Sequence, residues 1–305
     1  MKPAPFEYVR PRTVEETVAA LAEAADAKLL AGGQSLIPLL SMRLAAPATL
    51  VDLNRVEELA YVRTDDDGVR IGALARHAQV ERDDAAAARQ PLLRQALTLV
   101  AHPTIRNRGT TVGSIAHADP AAELPAVLTV LGGTVTTRSA SGTRQIGAAD
   151  FFVGPLECAL RPDELVTEIR VPARGPTSGT AIREISRRHG DYALVGVAAV
   201  VDVDGDSGQV TSARAGYFSV ADTPVVLDLT GTVDSGPSWD RASEHAMAAL
   251  DPIGDIHASA DYRRHLIGVL TRRALAAAHA ELSATIRARG RIDADNSAEG
   301  RGSDG

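Results

Sequence analysis

The spacing of apolar and polar residues breaks the chain into short elements that switch between helical and extended periods. Residues 13–25 (TVEETVAALAEAA) carry the repeat of an amphipathic helix. Thr13 stands at its N-cap and Glu16 three residues later, the pattern of a capping box. Residues 28–31 form a short apolar run that stops at Gly32-Gly33, as a buried strand does. Residues 35–44 continue as a helical turn or short helix, Pro47 breaks it, and 49–53 is a second short strand. This βαβ-like unit is too small for a complete dinucleotide-binding sheet.

Further along, 69–72, 133–137 and 165–171 read as strands, and 92–101 and 123–131 as helices. The mixture predicts an α+β fold, with helices around a mostly antiparallel sheet. Residues 172–179 (PARGPTSG) are the clearest linker in the chain. Two apolar strands follow, 193–203 and 210–218, joined by a hairpin containing Asp204-Gly205-Asp206. Helices are predicted over 239–250 and 261–282, the second with Tyr262, Leu266, Val269 and Leu270 on one face. Arg, acidic residues, Gly and Ser crowd the tail, which is expected to be disordered. No internal repeat is present.

Composition narrows the class. With 305 residues, 45% of them hydrophobic and 23% charged, the chain can build one large core or two domains. A net charge of −7 gives no bulk attraction to nucleic acid or anionic lipid. The longest apolar run, 194–201, falls far short of the ~20 residues of a membrane helix. No signal peptide is readable at the start. Cys158 is the only cysteine, so the chain makes no internal disulfide, iron–sulfur cluster or cysteine-based zinc site. A cytoplasmic location fits that usage.

Three segments could carry chemistry. Ala31-Gly32-Gly33-Gln34-Ser35 joins a strand to a helix; two glycines, the first helical N–H groups and the Ser35 hydroxyl make it an anion site or else a plain turn. It matches neither GxGxxG nor a Walker loop. Residues 106–125 (RNRGTTVGSIAHADPAAELP) are dense in Gly, Thr and Ser and show little periodicity, as a functional loop or a surface loop would. Asp119-Pro120 resembles an N-cap followed by the first helical residue. Residues 187–192 (RRHGDY) read as a solvated turn or a site edge. His77, His102 and His117 lack metal-ligand spacing, and no G-x-S-x-G supports a Ser-His-Asp triad.

Taken together and in order, LLAGGQSLIPLLSMRL (29–44), RNRGTTVGSIAHADPAAELP (106–125) and SRRHGDYALVG (186–196) resemble the FAD-binding medium subunit of the molybdenum hydroxylases, the carbon monoxide dehydrogenase and xanthine dehydrogenase family. The likeness runs from about Phe6 to about Ala288. It implies an FAD domain of the vanillyl-alcohol-oxidase (PCMH) type over 1–175, in subdomains of about 1–55 and 56–175. A smaller C-terminal domain over 176–288, with antiparallel sheet and helices, and a disordered tail over 289–305 complete the expected division.

The resemblance also implies site residues. Ala31, Gly32, Gly33, Gln34, Ser35 and Leu36 would bind the FAD pyrophosphate, flanked by Leu29 and Leu30. A second pyrophosphate loop, T-[IV]-G-G-[DSN] in the family, corresponds to Thr110, Thr111, Val112, Gly113 and Ser114, with Val112 at the first glycine position. Glu123 matches an acidic position on the FAD sugar chain, with Asp119 among the polar groups beside it. Val166 matches an apolar position near the cofactor, and Arg183 a basic one near the flavin ring. Asp191 and Tyr192 match a loop whose aromatic side chain lies by the isoalloxazine. No catalytic acid–base pair and no metal ligand are implied in this chain.

The implied function is electron transfer within a heteromeric enzyme. A large subunit with a molybdopterin cofactor oxidises the substrate, a small subunit relays electrons through two [2Fe-2S] clusters, and this chain's FAD passes them to an external acceptor. A dimer of heterotrimers is the expected assembly. The rival readings are a self-sufficient FAD oxidase or reductase of the same fold, and a cofactor-free scaffold subunit.

Overall fold

The computed structural model describes residues 2–233 and 238–299, with side chains as far as 282. The chain opens on a three-stranded parallel sheet of β1 (Glu7–Val9), β2 (Ala27–Leu30) and β3 (Thr49–Asp52), in the order β1-β3-β2. Helix α1 (Val14–Glu23) leads from β1 to β2, and α2 (Leu36–Met42) from β2 to β3. Thr13 caps α1 as its sequence predicts, its Oγ1 accepting from the Glu16 N–H at 3.1 Å. Glu16 reaches back one residue past the cap, to the Arg12 N–H.

A five-stranded antiparallel sheet forms the middle of the molecule. Its strands β4 (Val62–Asp65), β5 (Gly68–Gly72), β6 (Thr134–Ser139), β7 (Gly142–Gly147) and β10 (Leu165–Pro172) lie in the order β4-β5-β10-β6-β7. A small ribbon, β8 (Phe152–Gly154) with β9 (Glu157–Cys158), intervenes before β10. Seven short helices surround this sheet: α3 (His77–Arg82), α4 (Asp84–Arg89), α5 (Pro91–Leu99), α6 (Pro103–Arg106), α7 (Thr111–His117), α8 (Glu123–Val130) and α9 (Ala148–Phe151). Val69, Ile71, Val135, Leu165, Ile169 and Val171 turn inward from the strands and meet Leu92, Leu97, Ile115, Leu124 and Leu128 from the helices in one core.

Beyond residues 173–177 comes an antiparallel sheet of β11 (Ser178–Ser186), β12 (Ala193–Val203), β13 (Val210–Phe218) and β14 (Val225–Asp228). Strand β12 is apolar nearly throughout because both faces of its sheet are covered. Val195, Val197, Ala199 and Val201 face α10 (Asp240–Ala249) and α11 (Ala260–Glu299). Ala198 and Val200, with Ile182 and Phe218, join the core of the middle sheet instead. Helix α8 lies directly on β13: a β-carbon at Gly216 would meet the Ala126 carbonyl oxygen at 3.0 Å. The two halves of the chain therefore share one packed interface.

Several expectations change. Residues 106–125 do not form an open loop, since α6 ends there, α7 occupies the middle and α8 begins at Glu123. Gly, Thr and β-branched residues favour helix weakly, so α7 is invisible to propensity. It forms because Thr110 caps it and Val112 and Ile115 bury one side. Asp119 does not cap α8, whose N-cap is Ala122. Asp119 Oδ1 closes a turn instead, accepting from the Ala121 N–H at 2.8 Å. In α11 the buried stripe runs through Arg263, Leu266, Ile267 and Leu270, which leaves Tyr262 exposed and Val269 at the edge. Arg263 earns its place inside by donating to the carbonyls of Leu194 and Ser219 and to Asp255. Of the tail expected over 289–305, residues 289–299 continue α11, and the rest lies outside the described residues.

Candidate functional site

The first glycine segment leaves β2 and turns sharply into α2. Gly33 makes the turn with φ +73°, a left-handed conformation that suits glycine. The Gly33 carbonyl accepts from the Ile37 N–H at 3.0 Å, and the Gln34 amide donates to the Gly32 carbonyl at 3.1 Å. Ser35 is the N-cap of α2 but makes no capping bond with its side chain, so its hydroxyl is not committed to the helix. The first N–H groups of a helix have no intrahelical acceptor, and here they follow a glycine turn. Leu29, Leu30, Ala31 and Leu36 are half-buried around it.

The second segment is the entry to α7. Thr110 pairs with Arg76 in an isolated antiparallel bridge, the Thr111 N–H donates to the Ala75 carbonyl at 3.1 Å, and the His77 N–H donates to that of Gly109 at 2.9 Å. Thr110 Oγ1 accepts from the Gly113 N–H at 3.2 Å. Val112, which the resemblance sets at the first glycine position of the second loop, is helical with negative φ and points into the core. The valine thus anchors the helix from behind, while Gly113 and Ser114 remain on the outer side. His77 packs under Gly109, and burial, with the Arg106 charge second, lowers its pKa to about 4, so it supports the segment as a neutral ring.

These two segments, far apart in sequence, meet. A β-carbon at Gly32 would lie 2.5 Å from the Arg108 carbonyl oxygen and 3.0 Å from the Thr110 nitrogen. Two side chains that carry no motif hold them together. Asn54 donates through Nδ2 to the Ala31 carbonyl at 2.9 Å, and its Oδ1 accepts from Arg76 Nη2 at 2.6 Å. Arg76 Nη1 donates in turn to the Arg108 carbonyl. Behind them Asp52 accepts from the Asn54 backbone and side chain and from Tyr8, and it is ion-paired with Arg10 at 3.7 Å. Asn54 and Arg76 are absent from the sequence reading. The only signal was Asp52 two residues before Asn54, an Asx-turn spacing at the end of a strand.

A third group gathers where the C-terminal sheet meets α8. Burial, and then the nearby charges of Asp119 and Glu123, raise the Tyr192 pKa, so these three groups lie close together. Tyr192 is 65% exposed despite its size. Asp191 is held ionised by Arg187 at 2.9 Å and Arg188 at 3.7 Å. Burial, then the Asp119 charge, raises the pKa of Glu123 to about 7. Gly190 packs on His102, whose ring meets that of His189 edge-on at 6.1 Å, so this loop is seated on the first half of the chain. Val166 is buried in the core at a bulge of β10. Arg183 stands apart: it is exposed on β11, donates to the Ile182 carbonyl at 2.7 Å, and lines a cleft with Gln95, Thr98 and Glu281 that includes none of the glycine-segment residues.

The arrangement suits a diphosphate carried by a larger planar group. Two backbone segments rich in N–H and hydroxyl donors converge, and neither contains a carboxylate to repel an anion. The glycine cradle leaves no room for side chains at the contact. Among the described residues, no three His, Cys, Asp or Glu side chains are grouped to hold a metal.

Comparison with known proteins agrees with this geometry. The family described as FAD binding domain in molybdopterin dehydrogenase matches residues 4–174, and the CO dehydrogenase flavoprotein C-terminal domain matches 180–278. The chain is 41% identical over 284 residues to the 6-hydroxypseudooxynicotine dehydrogenase complex subunit alpha of Paenarthrobacter nicotinovorans, covering 91% of this chain and 96% of that one. It is 36% identical over 286 residues to the carbon monoxide dehydrogenase medium chain of Afipia carboxidovorans, covering 92% and 99%. It is similar in structure to a carbon monoxide dehydrogenase chain of Hydrogenophaga pseudoflava, with a TM-score of 0.86 at 36% identity, covering 92% and 99%. With both domains matched along most of its length, the chain belongs to the FAD-binding medium subunits of the molybdenum hydroxylases.

Proposed function

We propose that this chain carries FAD between the contacting glycine segments and transfers electrons from an iron–sulfur partner subunit to an external acceptor. The observation that carries the reading is the contact of Gly32 with Arg108, Gly109 and Thr110, which brings both family motifs to one place. Residues 32–36 and 110–114 supply donors for the pyrophosphate, and Asn54 and Arg76 fix the distance between them. Glu123 offers an acceptor to the sugar chain, and Tyr192 an exposed ring beside the flavin. FAD supplies the redox chemistry when bound; the chain's own residues bind it, orient it and limit water around it.

The partner follows from chemistry that this chain lacks. Two [2Fe-2S] clusters require eight thiolates, and Cys158 is alone. A small cluster-bearing subunit and a large molybdopterin subunit complete the path, as a dimer of heterotrimers in the cytoplasm. No helix among the described residues is long and apolar enough to cross a membrane. The test is compositional. The purified chain should show flavin absorbance, release close to one FAD per polypeptide and contain no iron; iron clusters should appear only with a co-purified partner. A chain free of flavin in every preparation would refute the proposal.

A further inference from the structure

Asp52 puts a carboxylate beside two donor segments that carry none of their own. It ends the central strand of the first sheet, β3, and its register sets it opposite Leu30, one residue before the glycine turn. In a parallel sheet, ligands lie beyond the carboxyl ends of the strands, and the turn leaves β2 at that end. A negative charge there opposes a diphosphate, so its presence calls for a compensating role.

The bonds of Asp52 supply that role. Its Oδ2 accepts from the Tyr8 hydroxyl and faces Arg10 at 3.7 Å. Its Oδ1 accepts twice from Asn54, from the backbone N–H at 2.9 Å and from Nδ2 at 2.6 Å. An ionised carboxylate only accepts, so it selects the nitrogen end of the Asn54 amide. The same Nδ2 donates its second hydrogen to the Ala31 carbonyl at 2.9 Å, and Oδ1 is left to accept from Arg76 Nη2 at 2.6 Å. Arg76 Nη1 carries the tie on to the Arg108 carbonyl. Turned over, the amide would set its oxygen against two acceptors and its nitrogen against a guanidinium, and the tie between the segments would be lost.

We infer that Asp52 is a positioning residue of the flavin site: its carboxylate imposes one orientation on the Asn54 amide, and that orientation ties the 31–35 segment through Arg76 to the 108–110 segment. This rests on the reading that FAD lies between these segments. Asp52 acts through Asn54 rather than on the cofactor. Its own charge is taken up by Tyr8, Asn54 and Arg10.

The test is the FAD dissociation constant, measured on the full chain with any subunits that co-purify. Asp52→Asn keeps the shape and the Asx turn but can donate as well as accept. It should weaken FAD binding about tenfold, the change that ~1.4 kcal/mol produces. A carboxylate acting by charge alone would give the opposite sign, because its removal relieves repulsion of the diphosphate. Asn54→Ala should weaken binding by a similar factor, and adding Asp52→Asn to it should cost little more, since the first residue acts through the second. Asn54→Asp sets two carboxylates together and should bind more weakly than native. Adding Asp52→Asn, harmful alone, should improve that variant, because an amide at position 52 can donate to the carboxylate at 54. Unchanged or tighter FAD binding in Asp52→Asn overturns the inference, as does an undiminished loss in the Asn54→Ala background. A native protein that binds no FAD overturns the flavin-site reading itself.

Discussion

Gly32 and Gly109 are packed so closely that a β-carbon on the first would come within 2.7 Å of the Cα of the second. Because the obstacle is backbone, it cannot rotate away. Gly32→Ala should push the two donor segments apart, at a cost of roughly 1–3 kcal/mol. FAD occupancy should drop about tenfold or more while the far-UV spectrum stays native. Gly33→Val should behave similarly through its φ of +73°, which a β-branched residue resists. Full flavin content in both variants would count against the assignment of this loop.

Arg76→Ala removes the guanidinium that joins Asn54 to the Arg108 carbonyl. The expected loss is about 1–3 kcal/mol of stability, with weaker FAD retention. Arg76→Lys should recover only part of it, because an ammonium lacks the planar fork that spans two acceptors. Urea titration and flavin release on the same samples check both effects.

How much of this was legible depends on the kind of signal. The Gly32-Gly33 turn sits between a strand and a short helix as the apolar run predicts, and Thr13 caps α1. Strands β4 (VRTD) and β7 (GTRQIG) escaped because both are sheet edges with mostly polar side chains. Strand β11 was masked by the linker-like residues at its start. The clamp of Asn54 and Arg76 is a tertiary arrangement of isolated polar residues, and no period or motif announces it.

His77 should make the fold acid-sensitive. Its pKa falls from 6.5 to about 4 on folding, so between these values the unfolded chain binds more protons. The stabilisation is complete above pH 6.5 and is lost as pH falls toward 4, amounting to roughly 3 kcal/mol. His77→Gln should flatten that limb of the stability profile. Equal acid sensitivity in the variant, by urea unfolding at pH 4.5 and 7.5, would show that other groups cause it.

Tyr192 is two-thirds exposed, so its removal should barely change stability. Tyr192→Ala should shift the melting temperature by no more than a degree or so, matching the ~0.5 kcal/mol typical of surface sites. Flavin reoxidation by the acceptor, or the flavin absorbance envelope, should change clearly. Stopped-flow traces identical to the native protein's would place the ring away from the isoalloxazine.

The central claim is that this chain is one station of an electron path that begins and ends elsewhere. Turnover with heterocycle, aldehyde and carbon monoxide substrates should be compared between the purified single chain and the complex formed with its co-expressed partners. The account predicts flavin and at most slow diaphorase activity in the single chain, with substrate oxidation only in the complex. Robust substrate oxidation by the single chain would contradict it and establish a self-sufficient flavoenzyme.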